Sequence, residues 1–427
     1  MNKKRILIFS LLYSPFVGGA EIAIKEITDR IDDIEFDMIT LRLDKNLPQF
    51  ERIGNVNVYR IGFSSNSPSM SDLVKYPLKL NKLLYPFLAC YKASRLHKKN
   101  NYDGTWAMMA AFAGFGALFF KFWHPKVPYL LTLQEGDPID FIKKKVRFIY
   151  PLFKKIFTKA DRVQTLSTYL AGWARNMDFK GPLEIVPNAV NTAHFTQEYP
   201  EFELNELKQK LAKTFLQNKN VRSNIPYEEC FRGKQVDDKY IITTSRLVLK
   251  NACDDVIKAL KFLPENIKFI ILGDGPDKKM LEDLVENEEV VNRVKFLGSI
   301  DHKEMPKYLK ISDIFCRPSL SEGFGNSFVE AMAVGLPVIA TQEGGIADFL
   351  FDAKRNPEQE TTGWAVDARS PEQIAEAVRD ILDNPEKTQR IVATAKKMAL
   401  EKYDWNIIAE DMQEKVFNKL LRNPVSQ

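Results

Sequence analysis

Residues 317–345 read RPSLSEGFGNSFVEAMAVGLPVIATQEGG, and the order of properties along them decides the fold. The runs that flank the central segment, SDIFC (312–316) and LPVIATQ (336–342), are short, apolar and partly β-branched, so each reads as a strand. Between them SFVEAMAVG has the spacing of a helix that starts at Ser327 and is closed by Gly335. Strand, loop, helix and strand in this order form a crossover between parallel strands. The loop Glu322–Asn326 then lies beyond the carboxyl end of its strand. Gly323 and Gly325 permit left-handed backbone there and allow a ligand to approach the main chain. Two carboxylates, Glu322 and Glu330, bracket this turn. Ser327 and Glu330 also fit a capping box, in which Glu330 would only satisfy a helix amide.

The alternation extends in both directions. Upstream, RILIFSL, EFDMITLR, NVNVYRIG, YDGTWAM, VPYLLTLQ, ADRVQTLS and LEIVPNAV read as strands separated by helical stretches. Residues 198–238 interrupt the pattern with polar sequence and one helix, FELNELKQKLAKTFL. It resumes with KYIITTSRL, IKFIILGDGP, VKFLGS, SDIFCRPS, LPVIATQ and GWAVDA, again with helices between. Such alternation specifies parallel sheets covered on both faces. The expected class is α/β with two Rossmann-like β/α/β domains facing a central cleft. Residues 1–197 form the first domain, 198–238 a linker with an insertion, and 239–404 the second domain. Residues 405–427 are an amphipathic helix expected to pack back on the first domain. Open sheets of this kind take ligands beyond the carboxyl ends of their strands.

A chain of 427 residues is long for one core and comfortable for two. The opening MNKKRILIFSLLYSPF is read as a first buried strand, and not as a secretory leader. The longest uncharged stretch, TWAMMAAFAGFGALFF, falls short of the roughly 20 residues that span a bilayer and reads as a buried helix. Cys90, Cys230, Cys253 and Cys316 lie far apart without a CxxC pair, which argues against zinc and fits a reducing cytoplasm. A net charge of +5 is mild for this length, and basic residues are not gathered on a recognition helix, so no nucleic-acid partner is expected.

The segment Glu322-Gly-Phe-Gly-Asn-Ser-Phe-Val-Glu330, followed by AMAVGLPVIAT and Gly344-Gly345, resembles the E-x7-E motif of the retaining glycosyltransferases of family 4, which have the GT-B fold. YSPFVGGAE resembles the family's N-terminal glycine loop, VPNAVNTAHF the segment that ends its first domain, and TTSRLVLKNACDDVIKAL its arginine–lysine segment. LGDGPDKKML and VKFLGSIDHKEMPKYL resemble the segments that shape the base pocket. The likeness covers roughly residues 5–420 apart from the 198–238 insertion.

The resemblance implies transfer of a hexose from a UDP- or GDP-sugar to a saccharide or lipid-linked acceptor, with retention by front-face attack. Glu322 would lie against the donor sugar and Glu330 would accept hydrogen bonds from the ribose, a task suited to an acceptor-only carboxylate. Gly323, Phe324, Gly325, Asn326, Leu297 and Ile300 would line the donor, and Gly18 and Gly19 would approach its diphosphate. Charge develops on the leaving diphosphate and must be met. The sequence has no Asp-x-Asp and no dense oxygen-ligand cluster, so no metal or other cofactor is expected. The cations implied are Arg246 and Lys250, because the family's usual lysine position holds Asn251.

A second departure follows the VPYLLT strand, where many relatives carry histidine and this chain reads LTLQEGDP. Gln134, Glu135 and Asp137 are therefore expected on the sugar or acceptor side. Two stretches of the first domain, 75–100 and 143–162, are basic and aromatic, a pattern that suits an anionic membrane surface and a peripheral location on its inner face. An NAD-type oxidoreductase would need G-x-G-x-x-G after the first strand, which YSPFVGGAE lacks. A catalytically silent nucleotide-sugar-binding subunit is the alternative that the missing histidine leaves open.

Overall fold

A computed structural model describes residues 3–16, 18–68, 72–73, 75–216 and 238–422. The chain divides into two compact units, Met1–Ala189 with Tyr403–Gln427, and Val190–Lys402. The division falls at Ala189, ahead of the expected boundary at 197. The physical reason is the short helix Thr192–Thr196, whose Phe195 is fully buried and packs edge-on to His302 at 5.3 Å between ring centres.

The first unit holds an eight-stranded sheet in the order β3-β4-β2-β1-β5-β6-β7-β8. Its strands are β1 (Lys4–Phe9), β2 (Ile34–Leu41), β3 (Phe50–Ile53), β4 (Val56–Ile61), β5 (Gly104–Met108), β6 (Tyr129–Leu133), β7 (Arg162–Thr165) and β8 (Leu183–Ile185). All neighbours are parallel except β3 on β4. Ile6 to Phe9 have no exposed surface, because helices cover both faces, and this is why β1 reads as an unbroken apolar run. The antiparallel β3 escapes sequence reading. Its FERI has no buried residue, and it is held to β4 by main-chain pairing and by Phe50 against Tyr59 at 4.9 Å.

TWAMMAAFAGFGALFF is not one helix. Its first residues complete β5, the chain turns at Met109 (φ 75°) and Phe112 (φ 46°), and a helix then runs Ala113–Trp123. Among the described residues, no helix is long and apolar enough to cross a membrane. The C-terminal segment joins this unit through the helix Trp405–Asp411, a π-type stretch Met412–Phe417 and the short α-helix Asn418–Arg422. Phe417 packs on Phe36 and Trp106, while Arg30 Nε donates to Asn406 Oδ1 at 2.9 Å.

The second unit holds a wholly parallel sheet, β11-β10-β9-β12-β13-β14. Its strands are β9 (Lys239–Thr244), β10 (Ile267–Leu272), β11 (Val294–Gly298), β12 (Ile314–Arg317), β13 (Val338–Ala340) and β14 (Trp364–Ala365). Within the expected 198–238 insertion, the helix Glu201–Leu216 is part of this unit: Leu211 and Phe215 are buried, and Phe215 stacks on Tyr240. Residues 217–237 of that insertion, Cys230 among them, lie outside the described residues.

Candidate active site

Because the second sheet is parallel, every strand delivers its following loop to one edge. Those loops are tied to each other by main-chain hydrogen bonds. Gly273 N donates to Gly298 O at 2.8 Å, joining the ends of β10 and β11, and Leu247 N donates to Asp274 O at 2.9 Å, joining the loops after β9 and β10. Leu320 N donates to Lys250 O at 2.7 Å, and Gly345 N donates to Glu322 O at 2.9 Å, linking the loop after β12 to those after β9 and β13. A continuous rim results, built from the segments singled out in the sequence.

Two glycines are required for the closeness of this rim. At Gly273 (φ +146°) a Cβ would stand 1.8 Å from Ser245 O, and at Gly344 (φ +63°) it would stand 2.1 Å from Glu322 O. Neither position accepts a side chain without moving main chain. Gly325 has φ +98° and is the N-cap of the helix Asn326–Val334, which ends at Gly335, also with φ +98°. Gly323 does not share the left-handed conformation.

The helix therefore begins one residue earlier than expected, and the capping box does not form. Ser327 lies inside the first turn, with its buried Oγ unpartnered, and Gly325 caps without a side chain. Glu330 is instead directed to His302, whose Nε2 lies 3.3 Å from Glu330 Oε1. His302 is buttressed in turn: His194 Nε2 is 3.0 Å from its carbonyl oxygen, and the two imidazoles stack. Sequence reading did not single out either histidine, since they are scattered in sequence and meet only through the β11 loop and the Thr192–Thr196 helix.

Glu322 is mostly buried and lies 3.6 Å from Arg317 Nη2. Arg317, the last residue of β12, was also missed, because a lone arginine at a strand end carries no pattern of its own. Its guanidinium sits 4.2 Å over the Phe328 ring and donates through Nη1 to Thr244 O at 3.2 Å.

The other expected donor-side residues divide into surface and support. Arg246 is exposed at the head of the β9 loop and makes no ion pair among the described residues, and Lys250 is half-buried on the same loop. Asn251 is buried, and its Nδ2 donates to Arg246 O at 2.6 Å, so its side chain braces the loop and does not face outward. The Phe324 ring is likewise buried, edge-on to Phe349, which leaves its main chain to the rim. Leu297 and Ile300 are half-buried at the end of β11 and in the loop after it.

In the first unit, Gly18 N donates to Glu21 Oε2 at 2.8 Å and Gly19 opens the helix Gly19–Thr28. A Cβ at Gly19 would meet nothing within 4 Å, so the protein's own packing does not demand glycine there. Glu135 differs from the expectation that it orients an acceptor. It is only 5% exposed; Oε1 accepts from Ala110 N at 2.6 Å and Oε2 from Gln134 N at 2.9 Å. The carboxylate thus secures the Met109–Phe112 turn, whose left-handed residues are strained without such support. Burial pushes its pKa up to about 7, against the opposing pull of those amides. Gln134 keeps both amide atoms buried and unpartnered, on a small cavity shared with Thr132, Gln164, Asn188 and Met412. Asp137 is exposed.

Comparison with known proteins fits this arrangement. The family model described as glycosyl transferases group 1 matches residues 229–398. An uncharacterized glycosyltransferase of Methanocaldococcus jannaschii is 26% identical over 412 residues, covering 95% of this chain and 96% of its own. A GDP-mannose-dependent alpha-(1-6)-phosphatidylinositol monomannoside mannosyltransferase of Mycobacterium tuberculosis is 27% identical over 184 residues, 41% of this chain and 46% of its own. Among solved structures, Anabaena HepE in complex with UDP-glucose superposes with a TM-score of 0.69 at 20% identity, covering 96% of this chain and 98% of that one. At such identity the likeness speaks for the fold, which is GT-B.

Proposed function

We propose that this chain, a hexosyltransferase of GT-B fold, takes its hexose from a UDP- or GDP-sugar held on the carboxyl edge of the second unit. The observation that carries the reading is the rim itself, where Glu322, Arg246, Lys250 and the Gly323–Asn326 turn are gathered by main-chain bonds, with Glu330 one turn into the adjoining helix. Glu330, oriented by His302, accepts from the ribose diol. Glu322 accepts from hydroxyls of the sugar. Arg246 and Lys250 meet the charge that grows on the departing diphosphate, a role open to fixed cations without a metal.

Transfer proceeds with retention, the leaving phosphate oxygen taking the acceptor's proton as the new glycosidic bond forms on the same face. The open helix start at Gly19 offers free N–H groups to an anion, whereas the Gln134 amide, buried on its small cavity, has no access to an acceptor.

The acceptor is a lipid-linked saccharide reached at an anionic membrane surface. Support comes from the first unit, where Phe141, Phe148 and Ile149 are exposed among Lys143, Lys144, Lys145 and Arg147, with Phe148 83% exposed. The helix Leu78–Asn100 likewise exposes Leu83, Phe87 and Tyr91. Apolar side chains set among cations match the interface of a bilayer rich in anionic lipid.

Thermal stabilisation by a panel of UDP- and GDP-sugars tests the donor, with chelator present to test the absence of a metal requirement. A ligand at a hundred times its dissociation constant stabilises by about 2.7 kcal/mol. No shift with any of them would refute the reading.

A further inference from the structure

Arg317 is a buried cation with an incomplete set of partners. The residue is 6% exposed, its Nε has no hydrogen-bond partner, and Nη1 reaches only one carbonyl, that of Thr244. Its strand neighbours Ile314, Phe315 and Cys316 are fully buried and apolar. A packed apolar side chain in place of a buried ion is commonly neutral or stabilising, so stability alone gives no reason for arginine at this point.

The Glu322 carboxylate supplies the reason. At 3.6 Å it is close enough to feel the guanidinium charge and too far to be hydrogen-bonded by it. No other donor reaches either Glu322 oxygen among the described residues. The carboxylate is thus held by charge while its lone pairs, about four acceptor sites, stay unspent. The Phe328 ring fixes the guanidinium from the other side, and Gly345 N fixes the Glu322 main chain.

We infer that Arg317 is a positioning residue: it orients Glu322 toward the donor sugar without occupying the oxygens that the sugar needs. The inference rests on the proposed contact between Glu322 and the hexose. It assigns Arg317 the sugar-dependent part of donor affinity and none of the nucleotide-dependent part.

Calorimetric titration separates the two parts, with UDP, UDP-glucose, GDP and GDP-mannose as probes on the full chain. Arg317→Met keeps side-chain volume, and Arg317→Lys keeps the charge. Arg317→Met is expected to weaken the nucleotide sugar about tenfold while its diphosphate stays within about twofold, with Arg317→Lys recovering most of the loss. In a Glu322→Gln background, Arg317→Met should add nothing. Equal weakening of sugar nucleotide and diphosphate, or no change in either, with Glu322→Gln still lowering sugar-nucleotide affinity, would overturn the role of Arg317 alone. If Glu322→Gln left the sugar-dependent affinity intact, or wild type bound no probe, the reading of the site beneath it would fall as well. Should Arg317→Met fail to fold, Arg317→Lys decides: loss of its diphosphate affinity in step with its sugar-nucleotide affinity contradicts the assignment.

Discussion

Replacing Glu135 by glutamine should change the stability of the protein in a way that depends on pH. The wild-type carboxyl is buried, and its pKa rises from an ordinary 4.5 to about 7 in the fold. Between those values the folded chain retains a proton that the unfolded chain has released. Stability is therefore complete below about 4.5, falls as pH rises toward 7 and is flat beyond. A rise of this size corresponds to roughly 3 kcal/mol between the two limits. Glutamine cannot ionise, so it escapes this loss, although it surrenders one of the two hydrogen bonds to Ala110 N and Gln134 N at every pH. The difference in unfolding free energy, mutant minus wild type, should move in favour of Glu135→Gln by about 2–3 kcal/mol between pH 4.5 and pH 8. Urea denaturation of both proteins at those two pH values measures it, and other titrating groups cancel in the comparison. A difference that stayed constant with pH would refute the burial argument.

Three other substitutions probe the rim and the glycine turn. Gly19→Ala has room for its methyl, so the melting temperature should hold or rise slightly while nucleotide-sugar binding weakens; a wild-type affinity would remove this turn from the site. Gly344→Ala drives a methyl into Glu322 O at a left-handed backbone position and should cost about 1–3 kcal/mol of stability together with most of the transfer activity. Unchanged thermal unfolding would show that the contact relaxes freely. Arg246→Ala, at an exposed position, should leave the melting temperature in place and slow transfer by tens to thousands of fold. Unaltered turnover would exclude it from the chemistry.

What could be read from the chain followed from burial. Strands β9, β10, β12 and β13 of the second unit appear as apolar runs, because they are buried almost throughout and show no solvent-facing period to disguise them. The exposed β3 left no such trace. TWAMMAAFAGFGALFF misled for a related reason: strand and helix are equally buried across the Met109–Phe112 turn, and no glycine or proline stands in that turn to announce it. Within the site, motifs gave positions but not directions. Glu135 and Asn251 carry groups suited to a ligand, yet both spend them on main chain. Arg317 and His302 lie within quoted segments, yet nothing in those segments gave either side chain a role, and each draws its meaning from a glutamate that only folding brings beside it.

A crystal structure of the full chain with an intact UDP- or GDP-sugar tests the central claim most directly. The account predicts ribose hydroxyls within about 3.2 Å of the Glu330 carboxylate, sugar hydroxyls at a similar distance from Glu322, and the diphosphate beside Arg246. A nucleotide sugar seated away from these three side chains would contradict it.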